Sequence, residues 1–221
     1  MGRAKEIIVK VIPAKIANEF VKKYHYSGKI VPNSRIHFGC FLDGKLHGVM
    51  SYGNSINKKG TIKLVKNTKW NEFIELNRMA FDDYLPRNSE SRCIAISIKL
   101  LKKYAPHIKW IISFADGTQC GDGAIYRASG FKLVGITENK ALRRNPLTGE
   151  VIHIMQAYHL KITDEFKKWE PIEGKQFKYI YLIDKNCEIT VPILPFSKID
   201  EMDARMYKGK KMTKVEIDKK H

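Results

Sequence analysis

Several side chains in this sequence could move a proton or hold a charged group. His25 and Tyr26 stand side by side just before Gly28. An imidazole titrates near neutral pH, so His25 suits a general base or a metal ligand, while Tyr26 could stack on a flat substrate or orient it. The same pair would also serve as an aromatic helix end packed on the core. Glu75 and Asn77 are two residues apart in ELNR. On a strand they share one face and Arg78 takes the other. A carboxylate there could accept a proton from an amine or hold a cation; the alternative is an ion pair with a lysine. Asp116 ends the apolar run IKWIISFA and precedes Gly117. Open α/β sheets bind ligands at the carboxyl ends of their strands, although an Asp there could equally make an Asx turn or cap a helix.

These residues need elements to hold them. KEIIVKVI (5–12) reads as a strand, and Pro13 opens a helix that runs to Tyr24 with Ile16, Phe20 and Val21 on one side. RIHFGCFL (35–42) and KLHGVMSYG (45–53) flank Asp43-Gly44, a type I′ hairpin signal. The stretch 72–81 fits helix or strand by period; strand is preferred because a clearer helix follows LPRNSES and ends near Tyr104. The run 108–115 is apolar throughout, as a central strand requires. A helix at 122–129 and the strand FKLVGI follow, then an arm over 137–175 with a possible strand IHIMQAYHL and a polar helix near Trp169. KYIYLID is the last strand. The lysine-rich residues 205–221 read as a mobile basic tail. The order is that of a mixed sheet with helices on its faces.

The chain has 221 residues, 43% of them hydrophobic, enough for a real core. Its 40 Lys and Arg against 23 Asp and Glu give a net charge of +17, a field that attracts polyanions, nucleic acid foremost. No apolar run approaches the roughly 20 residues that span a bilayer, and MGRAKEIIVKVIP is too charged for a signal peptide. Cys40, Cys93, Cys120 and Cys187 form no CxxC pair. No membrane partner and a reduced, cytoplasmic setting are expected.

IYRASGF (125–131) places Tyr126, Gly130 and Phe131 as the GNAT acyltransferases place theirs, and the element order is similar to that fold. Three further strings narrow the match: HYSGK (25–29), ELNR followed by PRNSES (75–78 and 86–91), and SFADGTQCGDGAIY (113–126). With the late KYIYLI and LPFSK, the chain resembles the phage Mom family over about residues 5–198. The resemblance implies an α/β, GNAT-like fold: a mixed, mostly antiparallel sheet with helices on both faces, in a catalytic domain of residues 1–204. It implies a transferase that converts adenine in double-stranded DNA to an N6-carbamoylmethyl derivative, shielding phage DNA from restriction. An ordinary GNAT N-acetyltransferase, or a DNA-binding protein that keeps the fold as a scaffold, are the competing readings.

In that frame His25, Tyr26, Glu75, Asp116 and Tyr126 are the catalytic candidates; in many GNAT enzymes the tyrosine at the place of Tyr126 protonates the departing CoA thiolate. Arg87, Asn88, Ser89 and Ser91 occupy the place of the Gly-rich loop that cradles the CoA pyrophosphate, but PRNSES has no glycine. The small-molecule donor is therefore acetyl-CoA or another acyl or amino donor. Forming an N–CH₂ bond is not simple acyl transfer, and iron held by His25, Glu75 and Asp116 is one solution. A base in a duplex must be flipped out to react, so Tyr26, Tyr52 and Trp70 are candidates to stack on it. Arg143 and Arg144 of the arm, with Lys208, Lys210, Lys211, Lys214, Lys219 and Lys220 of the tail, are candidates to bind phosphates.

Overall fold

Pro13 has no N–H to lose and a φ of −59° that already suits a helix, and it stands between β1 (Ile8–Val11) and α1 (Ala14–Tyr24). The strand is shorter than 5–12 because Arg3–Glu6 winds into a 3₁₀ turn. This computed structural model describes residues 3–117, 121–139, 141–172 and 174–201, with 206–207 and 210–211. The chain divides into two compact units. The first is Met1–Phe114, Ala124–Val134 and Lys178–Leu194; the second is Ala115–Gly123, Gly135–Phe177 and Pro195–His221.

In the first unit β2 (Ser34–Leu42) and β3 (Lys45–Gly53) form the expected hairpin, with Asp43 and Gly44 both at positive φ, 51° and 74°. The short helix α2 (Lys58–Thr61) precedes β4 (Phe73–Phe81), so the 72–81 stretch is strand as expected. The crossover helix α3 (Ser89–Tyr104) leads to β5 (Trp110–Asp116), which pairs parallel with β4. After α4 (Ala124–Ala128) comes β6 (Lys132–Glu138). The arm contains β7 (Leu142–Arg144), β8 (Val151–His153), α5 (Ile154–His159), α6 (Thr163–Phe166) and β9 (Glu170–Pro171), before β10 (Lys175–Leu182) and α7 (Ser197–Glu201).

The main sheet has the order β1-β2-β3-β4-β5-β10-β6. The β1–β2, β2–β3 and β3–β4 pairs are antiparallel. This is the mixed, mostly antiparallel sheet that the family resemblance implies. Alternation along β3 puts a helix on each face. Val49 packs with Ala17, Phe20, Val21 and Ala80 on the α1 side, whereas the Tyr52 hydroxyl lies 2.7 Å from Ser97 Oγ of α3. Phe73, stacked on Trp110 with centroids 4.6 Å apart, closes the core beneath β4 and β5.

The second unit has a small core of Ile152, Ala157, Phe166 and Trp169, with a three-stranded sheet in the order β8-β7-β9. Here one expectation fails: IHIMQAYHL is strand only as far as His153. His153 Nδ1 accepts the Met155 N–H at 3.1 Å and so caps α5, which buries Ala157 and leaves Met155 and Tyr158 exposed. A short apolar run fits either period, and a histidine cap carries little sequence signal. In the tail, Met206–Tyr207 pairs with Lys210–Lys211. Lys208, Lys214, Lys219 and Lys220 lie outside the described residues, and Lys210 and Lys211 are described in backbone alone. No helix among the described residues is long and apolar enough to cross a membrane.

Candidate active site

The turn after α1 orients the first pair. His25 caps that helix: its backbone is already extended (φ −76°, ψ 136°) while its N–H still bonds Val21 O. Gly28, at φ 59°, donates its N–H back to His25 O at 2.8 Å. Inside this loop the Ser27 N–H donates to His25 Nδ1 at 3.1 Å, and the Ser27 hydroxyl lies 2.8 Å from the same nitrogen. A main-chain N–H only donates, so Nδ1 is an acceptor and the neutral ring carries its proton on Nε2. Burial, reinforced by the Arg78 guanidinium, pushes the imidazole down to about 4. At neutral pH His25 is uncharged and presents an N–H, which moves its part from accepting a proton to donating a hydrogen bond.

The shift makes a thermodynamic prediction. The unfolded chain binds this proton more tightly than the folded one. The stability His25 contributes is therefore present above its ordinary 6.5 and lost as the pH falls toward about 4. Thermal melts across that window should show a declining midpoint, and a shallower decline in His25→Gln.

Arg78 gathers the remaining groups. Ser51 pairs with Arg78 and Tyr52 with Leu76, so Asn77 is an extra residue bulged out of β4. The bulge breaks the strict alternation that would put Arg78 opposite Glu75, and the two groups lie within electrostatic reach. Arg78 Nε donates to Lys29 O at 2.9 Å and Nη1 to Asn77 O at 2.8 Å. One guanidinium thus ties the HYSGK loop to the ELNR strand, a physical reason for these two strings to occur together. Burial disfavours its charge, and Tyr26, Glu75 and Tyr126 favour it. Sequence reasoning missed Arg78 as a site residue. The available signal was an arginine inside a strand that must be half-buried, a position arginine takes only when paired.

Glu75 is also held above the usual carboxylate range, mainly by burial, with a hydrogen bond from Ser55 and the charge of Arg78 pulling it back. Ser55 Oγ in turn lies 3.1 Å from Thr61 Oγ1 of α2. Its partners are thus a hydroxyl and Arg78 rather than the lysine considered from sequence. Tyr126, on α4, is buried at 8% exposure between the rings of Phe131 and Tyr179, with centroids 5.4 and 5.3 Å away. Gly130, at φ 82°, makes the turn that brings Phe131 back onto it, which explains the spacing in IYRASGF. Asn77, beside them on β4, accepts a hydrogen bond from Ser34 Oγ at 3.0 Å, and its Nδ2 is buried without a partner. A Cβ on Gly53 would meet that Nδ2 at 2.8 Å, so only glycine lets Asn77 lie there.

His25, Tyr26, Glu75 and Tyr126 thus all lie within electrostatic reach of Arg78. Asp116 belongs to the second unit, where Asn139 Nδ2 donates to its Oδ1 at 3.1 Å. Tyr26 is 51% exposed with its ring centroid 4.2 Å from that of His25, and Trp70 is 60% exposed with Lys58 Nζ 4.9 Å from its ring centroid. Tyr52 is not: it is fully buried beneath α3, so its expected stacking role is withdrawn.

Among the described residues no group of three or more His, Cys, Asp or Glu side chains could hold a metal ion. The guanidinium beside His25 and Glu75 already supplies the positive charge, which opposes a second cation there. At the start of α3 the side chains bond locally. Asn88 is left-handed at φ 67° and makes no side-chain cap. Ser89 is buried with its hydroxyl donating to Pro86 O, and the Ser91 hydroxyl donates to Asn88 O at 3.2 Å. Both hydroxyl protons are committed to carbonyls, which leaves the first-turn N–H groups and the exposed Arg87 as the donors an anion could meet. In the arm, Arg143 Nη1 donates to Lys167 O and Trp169 O, both at 2.8 Å, while Arg144 is exposed.

Residues 6–198 match the Mom protein family. Among curated proteins, the methylcarbamoylase Mom of Escherichia phage Mu is 37% identical over 137 residues, which is 62% of this chain and 56% of that protein. Among solved structures, an N-acetyltransferase from Staphylococcus aureus Mu50 aligns over 80% of this chain and 99% of its own at 11% identity, with a TM-score of 0.49. An IAA acetyltransferase from Bacillus cereus aligns over 80% and 99% at 10% identity, with a TM-score of 0.47.

Proposed function

Because this chain belongs to the Mom protein family, we propose that it is a transferase that modifies adenine in double-stranded DNA, building a carbamoylmethyl-type substituent on N6. The observation that carries the reading is the guanidinium of Arg78, which ties the HYSGK loop to β4 through Lys29 O and lies within electrostatic reach of His25, Tyr26, Glu75 and Tyr126. The net charge of +17 supports a polyanionic substrate. An adenine amine must lose a proton when its nitrogen forms a bond to carbon. Glu75 takes it in this reading, which its raised pKa supports, because a carboxylate held above its ordinary range is a better base than an exposed one. The His25 Nε2–H donates to an acceptor on the substrate, and exposed Tyr26 stacks on a base rotated out of the duplex. As the N–C bond forms, the bond between the transferred carbon and its small-molecule donor breaks, and Arg78 and Tyr126 steady the negative charge that develops on the departing donor. Asp116 is the further catalytic candidate. Arg144 and the tail lysines Lys208, Lys210, Lys211 and Lys214 hold phosphates without reading sequence.

Mass spectrometry of nucleosides from cells expressing the full chain tests this directly. A new adenosine mass is expected; unmodified DNA together with acetylated protein or small-molecule amines would replace this reading by an ordinary N-acetyltransferase. Glu75→Gln should separate function from folding. The raised carboxyl binds its proton more tightly in the folded chain, so the stability it contributes is present below its ordinary 4.5 and lost as the pH rises through the folded value. The glutamine variant should therefore melt higher than the parent at pH 7 while producing far less modified adenosine. A lower melting point would contradict the burial argument.

A further inference from the structure

The connection from β3 to β4 carries five lysines between Asn54 and Trp70 and no aspartate or glutamate. Lys58, Lys59, Lys63, Lys66 and Lys69 are all exposed. Lys66 lies 3.4 Å from Glu188, whereas Lys58, Lys59 and Lys63 form no ion pair among the described residues. The Lys58 ammonium stands over the Trp70 ring, 4.9 Å from its centroid. The backbone beneath these cations is tied down. Asn33 Nδ2 donates to Asn54 O at the start of the connection. Asn57 Oδ1 accepts the Gly60 N–H at 3.0 Å and Asn57 O the Thr61 N–H at 2.9 Å, which winds α2. A Cβ on Gly60 would meet Asn57 Nδ2 at 2.6 Å. Further on, Ile62, Leu64 and Val65 pack with Phe73 and Trp110, the Thr190 N–H donates to Leu64 O at 3.0 Å, and the Lys66 N–H donates to Glu188 O at 2.9 Å.

Like charges crowded on one short connection repel one another, a cost that a polyanion reverses on binding. Protein interfaces are depleted in lysine, whereas phosphate contacts make up most of a DNA interface. An ammonium on a flexible stem meets a phosphate as a point charge and reads no base. The connection is also rooted at the candidate site. Ser55 donates a hydrogen bond to Glu75, because an ionised carboxylate only accepts. The Ser55 hydroxyl has one proton, so in its 3.1 Å contact with Thr61 Oγ1 the threonine is the donor. The helix that carries Lys58 and Lys59 is therefore two hydrogen bonds from the Glu75 carboxyl, and all of these residues belong to the first unit.

Resting on the DNA-modifying reading, we propose that the β3–β4 connection is a surface on which duplex DNA docks, with Lys58, Lys59 and Lys63 taking backbone phosphates. The contact fixes where the duplex lies on the unit that carries Glu75, and it reads no sequence.

The test measures binding of the full chain to a labelled DNA duplex by fluorescence anisotropy at several salt concentrations, beside nucleoside mass spectrometry of DNA from cells expressing each variant. Lys58→Gln/Lys59→Gln/Lys63→Gln should weaken binding by about tenfold or more at low salt. Its log Kd should rise less steeply with log salt, by about 2–3, since each phosphate contact contributes about 0.9 to that slope. Its yield of modified adenosine should fall as well. Lys58→Arg/Lys59→Arg/Lys63→Arg keeps the charge and should bind as the wild type does. Lys99→Gln/Lys102→Gln/Lys103→Gln removes the same charge from exposed positions of α3, and should stay within about twofold in affinity and about half a unit in slope. All of these variants should melt with the parent, because the lysines are exposed. An unchanged slope in the first variant overturns the docking surface and leaves the enzyme reading intact. So do equal losses in the two glutamine variants, which would make the effect one of net charge alone. Tighter binding of the wild type to single-stranded RNA or to polyglutamate than to the duplex overturns it too, by giving the patch to another polyanion. A wild-type chain that neither binds duplex DNA nor modifies it overturns both readings.

Discussion

Arg78→Gln is expected to lower the yield of modified adenosine by about 10²–10³-fold, the range seen when one preorganised donor to developing charge is removed. The side chain has two separable duties. It bridges Lys29 O and Asn77 O, and it carries the charge that acts on His25, Tyr26, Glu75 and Tyr126. Glutamine removes the charge and most of the donors. Arg78→Lys keeps the charge, but one ammonium cannot reproduce the planar fork that reaches two carbonyls, so the lysine variant should recover only part of the activity. Circular dichroism and thermal melts of both variants separate a misplaced HYSGK loop from a lost charge. A folded Arg78→Gln chain that modifies DNA at the wild-type level would remove Arg78 from the chemistry, and with it the argument that these residues form one site.

Tyr126→Phe should show the second large effect, a loss of about 10²-fold in modification with little change in stability. The substitution removes one oxygen and keeps the ring contacts with Phe131 and Tyr179, so the packing that positions α4 survives. A purely structural tyrosine would give the reverse pattern, a lowered melting temperature and intact modification. The measurement is the same nucleoside analysis beside a thermal melt. Because Tyr126 is one of the groups favouring the charge on Arg78, the double variant Tyr126→Phe/Arg78→Gln should lose less than the product of the two single losses.

Four residues of the candidate site are candidates from one sequence. Residue type and spacing make His25, Tyr26 and Glu75 candidates, the family resemblance adds Tyr126, and each is positioned by a local signal: a helix end before glycine, a strand of alternating burial, a tyrosine before a Gly-Phe turn. Arg78 was misplaced because a bulge is a property of a strand pair. Nothing in FIELNRMAF announces that Asn77 will be skipped when β4 aligns with β3. Tyr52 was misjudged for a related reason. A tyrosine on a strand next to a proposed cleft faces it or faces away, and only the helix packed behind the sheet decides. The arm was the least readable part, since α5 depends on a histidine cap and on a core of only a few residues.

The sequence by itself determined the features that depend on short-range physics: the Pro13 helix start, the Asp43-Gly44 hairpin, the apolar central strand and the excess of positive charge. These follow from φ preferences, side-chain alternation and composition, which need no distant partner. The tertiary structure alone decided which tautomer His25 adopts, that a guanidinium bridges two segments forty-nine residues apart, and that burial moves Glu75 and His25 away from their ordinary titration ranges. The reason is that hydrogen-bond partners and dielectric surroundings come from chain segments brought together only on folding, and neither is encoded in the residues beside the one they act on.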